Sequence, residues 1–447
     1  MSILEHFPVE MPPRKEQRET LLEVERTWNW TDVFVIQAPV GAGKSALIQT
    51  IMKWNGGGQV IVPTNAEIKQ YTDKAPWLLP PPYRGGHSPD GFKQAKDEYQ
   101  TSPYRVMNYY HSLAHKTYHE LLLVDEAHNL TRFISAMDAK KFWSHLHEVP
   151  ENVDSAMDLV CWIYDQLQNP RVKRKKTLQS MFDYLSRDPE SYVLEKDIKE
   201  YRGKEQMCFE VFPIKPKARP VLWPPSRTRK IVLCSATIQP VDIEEIGLAS
   251  NRVRYIETDS PIPVEARPIE VDPVAWITHS SLSWSVPKIG QRINNYKDIH
   301  PEKGMIHTTY DMAEMLRTHL KDPRYIFHTQ DKENKKARYK QWLRSRDGIL
   351  VGCGMTEALD HKGDICRWQV ITKIMFPSLA DPAVESKRAK YPEWFDWVAV
   401  RELVQSCGRV SRSEDDYGIT YVLDKAFCKL YKERKEMFPK SFKEAIR

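Results

Sequence analysis

The eight residues Ala38-Pro39-Val40-Gly41-Ala42-Gly43-Lys44-Ser45 have the makings of a loop that cradles phosphate. Glycines at 41 and 43 let backbone N–H groups turn inward, and a helix starting at Lys44 would add its dipole. Lys44 would neutralise the β- and γ-phosphates, and the Ser45 hydroxyl would ligate Mg2+. The first loop position is Ala38 instead of the usual glycine. Further on, the apolar run Leu121-Leu122-Leu123-Val124 leads directly into Asp125-Glu126-Ala127-His128. That order places two carboxylates at the C-terminal edge of a buried parallel strand, where ligands bind in open α/β sheets. Asp125 would hold the Mg2+, and Glu126 would orient and deprotonate an attacking water. Near the C-terminus, Gln405-Ser406-Cys407-Gly408-Arg409-Val410-Ser411-Arg412 carries two arginines three residues apart, which on a helix would face one way. Arginine charge delivered to a γ-phosphate accelerates phosphoryl transfer by orders of magnitude. Taken singly, such acids cap helices and such arginines form surface salt bridges. Together and in this order they point to nucleotide hydrolysis in a cleft that closes.

Those residues need two parallel sheets to carry them. Apolar, β-branched runs alternate with amphipathic stretches, the pattern of α/β architecture. The first series of strands is expected at Val33–Gln37 (the strand entering the phosphate loop begins at Asp32), Gln59–Pro63, Arg105–Met107, Leu121–Val124 and Lys230–Cys234. The second is expected at Met305–His307, Tyr325–Phe327, Ile349–Val351, Gln369–Lys373 and Ile419–Leu423. Prolines cluster near Ser260–Pro268, where the halves would join. Between Asn129 and Ser226 the period becomes helical, through Leu159, Val160, Ile163 and Leu167 and then Leu178, Met181, Phe182 and Leu185. The expected organisation is a first domain over residues 1–128 and 227–265, a helical insertion over 129–226, and a second domain over 266–447. Ala75–Gln100, with Pro80-Pro81-Pro82 and Gly85-Gly86, reads as a long loop.

Bulk properties agree with such a chain without demanding it. At 447 residues, 41% hydrophobic and 28% charged, there is material for about three domains. A net charge of +6 is too mild to prove a nucleic-acid partner. Two basic runs are more pointed: Arg171 to Lys176, and Lys332 to Arg346 on an expected helix, though such runs are commonly solvated faces. The seven cysteines are scattered, with no close pair, and the N-terminal segment has no apolar leader. These features read as reduced thiols in a cytoplasmic protein, with no membrane partner. Cys353 and Cys407 read as small buried residues. His111, His115 and His119 recur every four residues, but no carboxylate or cysteine completes a zinc set, and a structural role is favoured.

With these residues in view, the chain resembles superfamily 2 helicases of the DEAH type, most closely the XPD/DinG group. Arg14-Lys15-Glu16-Gln17 is similar to the family's R-x-x-Q element, which implies that Gln17 contacts adenine. Val62-Pro63-Thr64-Asn65 resembles motif Ia, and Asn108-Tyr109-Tyr110-His111 the element before the DEAH box. Ser235-Ala236-Thr237 resembles motif III, Met305 through Tyr310 motif IV, and Gly354 through Asp360 motif V. Gln405 through Arg412, with Asp415-Asp416-Tyr417-Gly418 beyond, resembles motif VI. The resemblance implies two tandem RecA-like domains that bind ATP and Mg2+ through Gln17, Pro39 to Ser45, Glu357 and Asp360. It assigns catalytic parts to Lys44, Asp125, Glu126, His128, Gln405, Arg409 and Arg412. Contacts to nucleic acid would come from Thr64, Asn65, Asn108, Tyr109, Thr237, Thr308 and Thr309. Two departures stand out: Ala358 replaces the usual glycine of motif V, and no cysteine lies between Ser45 and Asp125. The second removes the four thiolates that hold an iron–sulfur cluster in some members, so no such cluster is expected.

The expectation is a monomeric ATP-dependent motor that moves on single-stranded DNA, or on DNA with a single-stranded tail, and unwinds duplex. Polarity 5′ to 3′ follows from the resemblance alone, and RNA stays open as a track. Two other readings remain at this stage: a translocase that does not separate strands, and a non-catalytic nucleic-acid scaffold.

Overall fold

A computed structural model describes the chain except for residues 9–11, 84–87, 116–118, 139, 144–148, 215–227, 354–364 and 412. The first sheet is built from β1 (Val33–Gln37), β2 (Gly58–Val62), β3 (Tyr104–Asn108) and β4 (Leu121–Val124). The intervening β5 (Lys140–Trp143), β6 (Tyr192–Tyr201) and β7 (Lys204–Pro213) form a separate antiparallel sheet of order β5-β7-β6. The chain then returns to the first sheet through β8 (Lys230–Ser235) and β9 (Val253–Glu257). Its order is β3-β2-β4-β8-β1-β9, parallel throughout. The second parallel sheet contains β10 (Ile269–Ala275), β11 (Gly304–Thr308), β12 (Tyr325–Phe327), β13 (Ile349–Cys353), β14 (Trp368–Ile371) and β15 (Ile419–Asp424). Its order is β10-β15-β14-β11-β13-β12.

The central strands are buried on both faces, which explains their continuous apolar character: Val33 to Ile36 and Leu121 to Val124 are all covered. The two faces of the first sheet open into separate cores. Phe34, Ile36, Leu123 and Cys234 join the helix Lys44–Trp54, whereas Val33, Val35, Leu122 and Val124 join the segment Ile238–Leu248. The second sheet repeats this two-sided burial. Both phosphate loop and carboxylate pair therefore leave the same C-terminal edge, as a parallel sheet requires.

Three features differ from the sequence reading. Within 75–100 a helix, Pro89–Thr101, begins; the Ser88 side chain accepts from Gly91 N, and Pro89 sits in the first turn, the usual start of a helix. Between 129 and 226 there is a sheet beside the helices Ala156–Gln168 and Lys175–Leu185. Its hairpin turns at Arg202 and Gly203, with φ of 55° and 78°, where positive φ at both turn residues matches strand twist. Charges at Glu195, Lys196, Asp197, Lys199 and Glu200 conceal β6 from any apolar count. The edge strands β9 and β10 also escaped it, because one flank of each faces outward and carries polar residues such as Arg254, Glu270 and Asp272.

Candidate nucleotide site and strand track

The phosphate loop has the conformation its glycines allow. Gly41 and Gly43 have φ of 81° and 78°, a region unfavourable to other L-residues. A side chain at Gly43 would also strike Gln17, whose Nε2 lies 2.4 Å from the position of a Cβ. Gln17 Nε2 donates to Ala42 O at 2.9 Å, and Arg14 Nη2 donates to Gly41 O at 2.7 Å. Arg14 also pairs with Glu414 beyond the second domain's arginine segment. The R-x-x-Q element thus braces the loop's carbonyls, leaving its N–H groups for an anion. Pro39 and Val40 meet Val404, Gln405 and Gly408 in a small apolar cleft between the sheets. A Cβ at Gly408 would come within 3.0 Å of Val40, so this glycine permits close approach.

Lys44 Nζ lies 3.2 Å from Glu126 Oε1. Burial opposes the Lys44 charge, but Glu126 and Asp125 outweigh it and hold the ammonium above its ordinary value. Burial and the Glu126 charge push the Asp125 carboxyl up to about 6. Burial acts the same way on Glu126, yet Lys44 and Arg409 prevail and keep it ionised. Glu126 also has φ 47°, a strained backbone for a residue with a side chain. Burial drives the neighbouring His128 imidazole down to about 4, so it is neutral. Its Nδ1 contacts Ser235 Oγ at 2.8 Å and Glu126 Oε2 at 3.4 Å. Ser235 Oγ accepts from Thr237 N at 3.1 Å, and Thr237 Oγ1 accepts from Gln405 Nε2 at 2.7 Å. A polar chain therefore runs from Glu126 through His128, Ser235 and Thr237 into the second domain.

Arg409 is buried, and its charge acts on Glu126 and on His128. It stands past the end of the helix Pro392–Cys407, so the expectation of a shared helical face with Arg412 fails for Arg409. Arg412, Glu357 and Asp360 lie outside the described residues. The site also recruits residues that no motif announced. Arg401 Nη1 donates to His128 O at 3.4 Å, and Trp397 Nε1 donates to Asp242 Oδ2 at 2.9 Å.

The expected strand contacts divide. Thr64 and Asn65 are exposed at the end of β2; Thr64 caps a helix with Glu67, and Asn65 Oδ1 accepts from Asn108 Nδ2 at 2.7 Å. Thr308 and Thr309 stand at the corresponding end of β11, where Thr309 caps the helix Tyr310–Leu316. Tyr109 is corrected: it is 2% exposed, and its hydroxyl donates to the backbone oxygens of Asp125 and Glu126, so it supports the carboxylates and offers no face to a base. The next residue, Tyr110, is 63% exposed. Thr237 is likewise corrected, since it is fully buried and engaged by Gln405. His119 leaves the expected histidine row, because it lies beyond the helix Tyr109–His115 and its Nδ1 accepts from Leu121 N. The basic run from Lys332 occupies the helix Lys332–Arg344, buried only at Trp342.

The residues present suit Mg2+. Ser45 and Asp125 offer hard oxygen donors on one side of the loop, and this ion characteristically takes one or two carboxylates with phosphate oxygens and water.

Residues 295–445 match the family described as helicase C-terminal domain. The ATP-dependent DNA helicase DinG of Photobacterium profundum is 35% identical over 128 residues, 26% of this chain and 18% of that relative. A probable ATP-dependent helicase of Methanocaldococcus jannaschii is 25% identical over 228 residues, 44% of this chain and 35% of that relative. The matched stretches thus span well under two thirds of those relatives' lengths. Among solved structures, S. tokodaii Xpd4 is similar with a TM-score of 0.62 at 13% identity, over 97% of this chain and 99% of that one. An XPD helicase structure gives 0.63 at 13% identity, over 96% and 98%. The fold is that of tandem RecA-like domains. The match to the helicase C-terminal family covers the second sheet from β11 onward and the helices around it, residues 295–445.

Proposed function

We propose that this chain is an ATP-dependent nucleic-acid helicase that moves along single-stranded DNA and unwinds duplex, 5′ to 3′ by family resemblance. The observation that carries the reading is the unbroken polar chain from Glu126 to Gln405, with Lys44 and Arg409 acting on the same carboxylate from opposite domains. Such a chain lets hydrolysis in one domain alter the contact to the other, which is what a stepping motor needs. Lys44 and the loop N–H groups would hold the phosphates, Gln17 the adenine, and Ser45 and Asp125 the Mg2+. That ion would supply charge neutralisation between the β- and γ-phosphates. Glu126, kept ionised, would take the proton of the attacking water, and Arg409 would oppose charge developing on the γ-phosphate. Thr64, Asn65 and Thr309, at the strand ends, would touch the nucleic-acid backbone, with buried Asn108 holding Asn65 in place, so affinity would depend on salt more than on sequence. Thr308 is buried and would take no part in this contact. The sequence offers no thiolates between Ser45 and Asp125, so the motor would work without an iron–sulfur cluster.

ATP turnover measured with single- and double-stranded DNA and RNA, beside strand displacement on tailed duplexes, tests this reading. Stimulation by single-stranded DNA, lost in Lys44→Ala, supports it. Translocation without displacement would leave a translocase, and turnover indifferent to nucleic acid would overturn the proposal.

A further inference from the structure

The helix Asn65–Lys74 carries a residue that no motif names. Tyr71 lies nearly two turns from its start, is 4% exposed, and belongs to the same core as Leu47, Ile48 and Ile68. Its hydroxyl donates to Asp125 Oδ2 at 2.7 Å, and the Ser45 side chain lies close enough to act on the same phenol. A single phenol thus stands beside both side chains assigned to Mg2+. The other Asp125 oxygen, Oδ1, accepts from Glu126 N at 2.9 Å, so each carboxylate oxygen has one fixed donor. The start of this helix also belongs to the expected track, through exposed Thr64 and Asn65, the latter held to Asn108. From Asn65 to Tyr71 is six residues, about 9 Å of helix at 1.5 Å per residue. One rigid helix therefore has the track at its first turn and the metal's carboxylate at the end of its second.

We infer that Tyr71 is a positioning residue that fixes Asp125 and Ser45 for Mg2+ and ties metal binding to occupancy of the strand track. The inference rests on the nucleotide-site reading above. A merely structural tyrosine would need some partner for its buried hydroxyl, and any acceptor would serve. Here the acceptor is the carboxylate assigned to the metal, and the second assigned ligand lies beside the same phenol. Removing the hydroxyl would free Asp125 Oδ2 to rotate, and outer-shell partners of this kind commonly change metal affinity or activity by about 10- to 100-fold when lost.

Tyr71→Phe keeps the ring and deletes only the hydroxyl; Tyr71→Leu also disturbs the packing. The readouts are Mg2+-dependent binding of a fluorescent ATP analogue, with and without a single-stranded oligonucleotide, and thermal unfolding. In Tyr71→Phe the Mg2+ concentration for half-maximal analogue binding should rise about tenfold, with the unfolding midpoint little changed. The oligonucleotide should lower that concentration in the wild type and have a much smaller effect in the variant. If Tyr71→Phe keeps the wild-type Mg2+ dependence and the wild-type response to the strand, the inference is wrong. A Mg2+ change seen only in Tyr71→Leu, together with a lower unfolding midpoint, would assign Tyr71 to packing and overturn it as well. If the wild type itself shows no Mg2+-dependent binding, the nucleotide-site reading fails, a result distinct from either.

Discussion

Glu126 is held in a left-handed backbone conformation, faces Lys44, and remains ionised despite burial. Strain of this kind persists only where surrounding contacts over-determine it, and here Tyr109 grips the backbone oxygens on both sides of the Asp125–Glu126 peptide. Glu126→Gln preserves shape while removing the base. Hydrolysis should fall by about 100-fold or more, because a positioned general base contributes about 10²–10⁴. Binding of the ATP analogue should stay within about threefold of wild type, since Lys44, the loop and Asp125 persist. Single-turnover hydrolysis beside equilibrium binding checks both. A collapse of binding would mean that Glu126 serves the metal and not the water. At this scale the contiguous strings were readable: Lys44, Ser45, Asp125 and Glu126 occupy the places their spacing implies. Tyr71 was not, because its partner Asp125 is 54 residues away and only packing brings them together. Tyr109 was misread for a related reason: a tyrosine beside a track motif looks available until the fold covers it.

The helices that join the domains meet through a few buried charged residues. The helix Pro240–Glu245 follows Thr237 directly and docks on Pro392–Cys407, the helix that leads to Arg409. Asp242 accepts from Trp397 Nε1 and from Gln239 N, both at 2.9 Å, and faces Arg401 at 3.5 Å. Glu245 pairs with Lys387 on the helix Pro382–Lys390, and both are buried. A buried acid with these partners orients one helix on another, and its removal leaves Arg401 uncompensated. Asp242→Ala should cost about 3 kcal/mol, the scale for breaking a buried charge pair. Asp242→Asn, which keeps an acceptor for Trp397, should cost less. Chemical denaturation followed by tryptophan fluorescence compares them; equal and small effects would show that the contact does not hold the interface. Pairings like these join residues far apart in the chain, 168 positions for Gln405 with Thr237 and 273 for Arg401 with His128, so no local pattern exposes them. Strands were legible where both faces are buried and blurred at edges such as β9, where one flank is polar.

Across the whole molecule, the site is divided between two bodies. Phosphate loop and carboxylates leave the first sheet, whereas Gln405 lies on a helix of the second domain and Arg409 just beyond it. Arg409 is buried and already acts on Glu126, so this arrangement has the domains close together. In the proposed function its charge would assist hydrolysis only while they remain so, and that geometric condition would link turnover to movement. Arg409→Ala should therefore lower the maximal single-strand-stimulated ATPase rate by about 10³-fold, the lower range for a catalytic arginine. Strand affinity should change by no more than about threefold, because the proposed track residues at the ends of β2 and β11 are untouched. Translocation should fall at least as far as hydrolysis, since the stepping state is reached less often. Steady-state turnover with saturating single-stranded DNA, a binding titration and a translocation assay on the same variant separate these effects. Strand binding lost in parallel with turnover would place Arg409 on the track. Near-normal turnover would remove the second domain from the chemistry, and with it the reason for a hydrolytic site built across a moving interface.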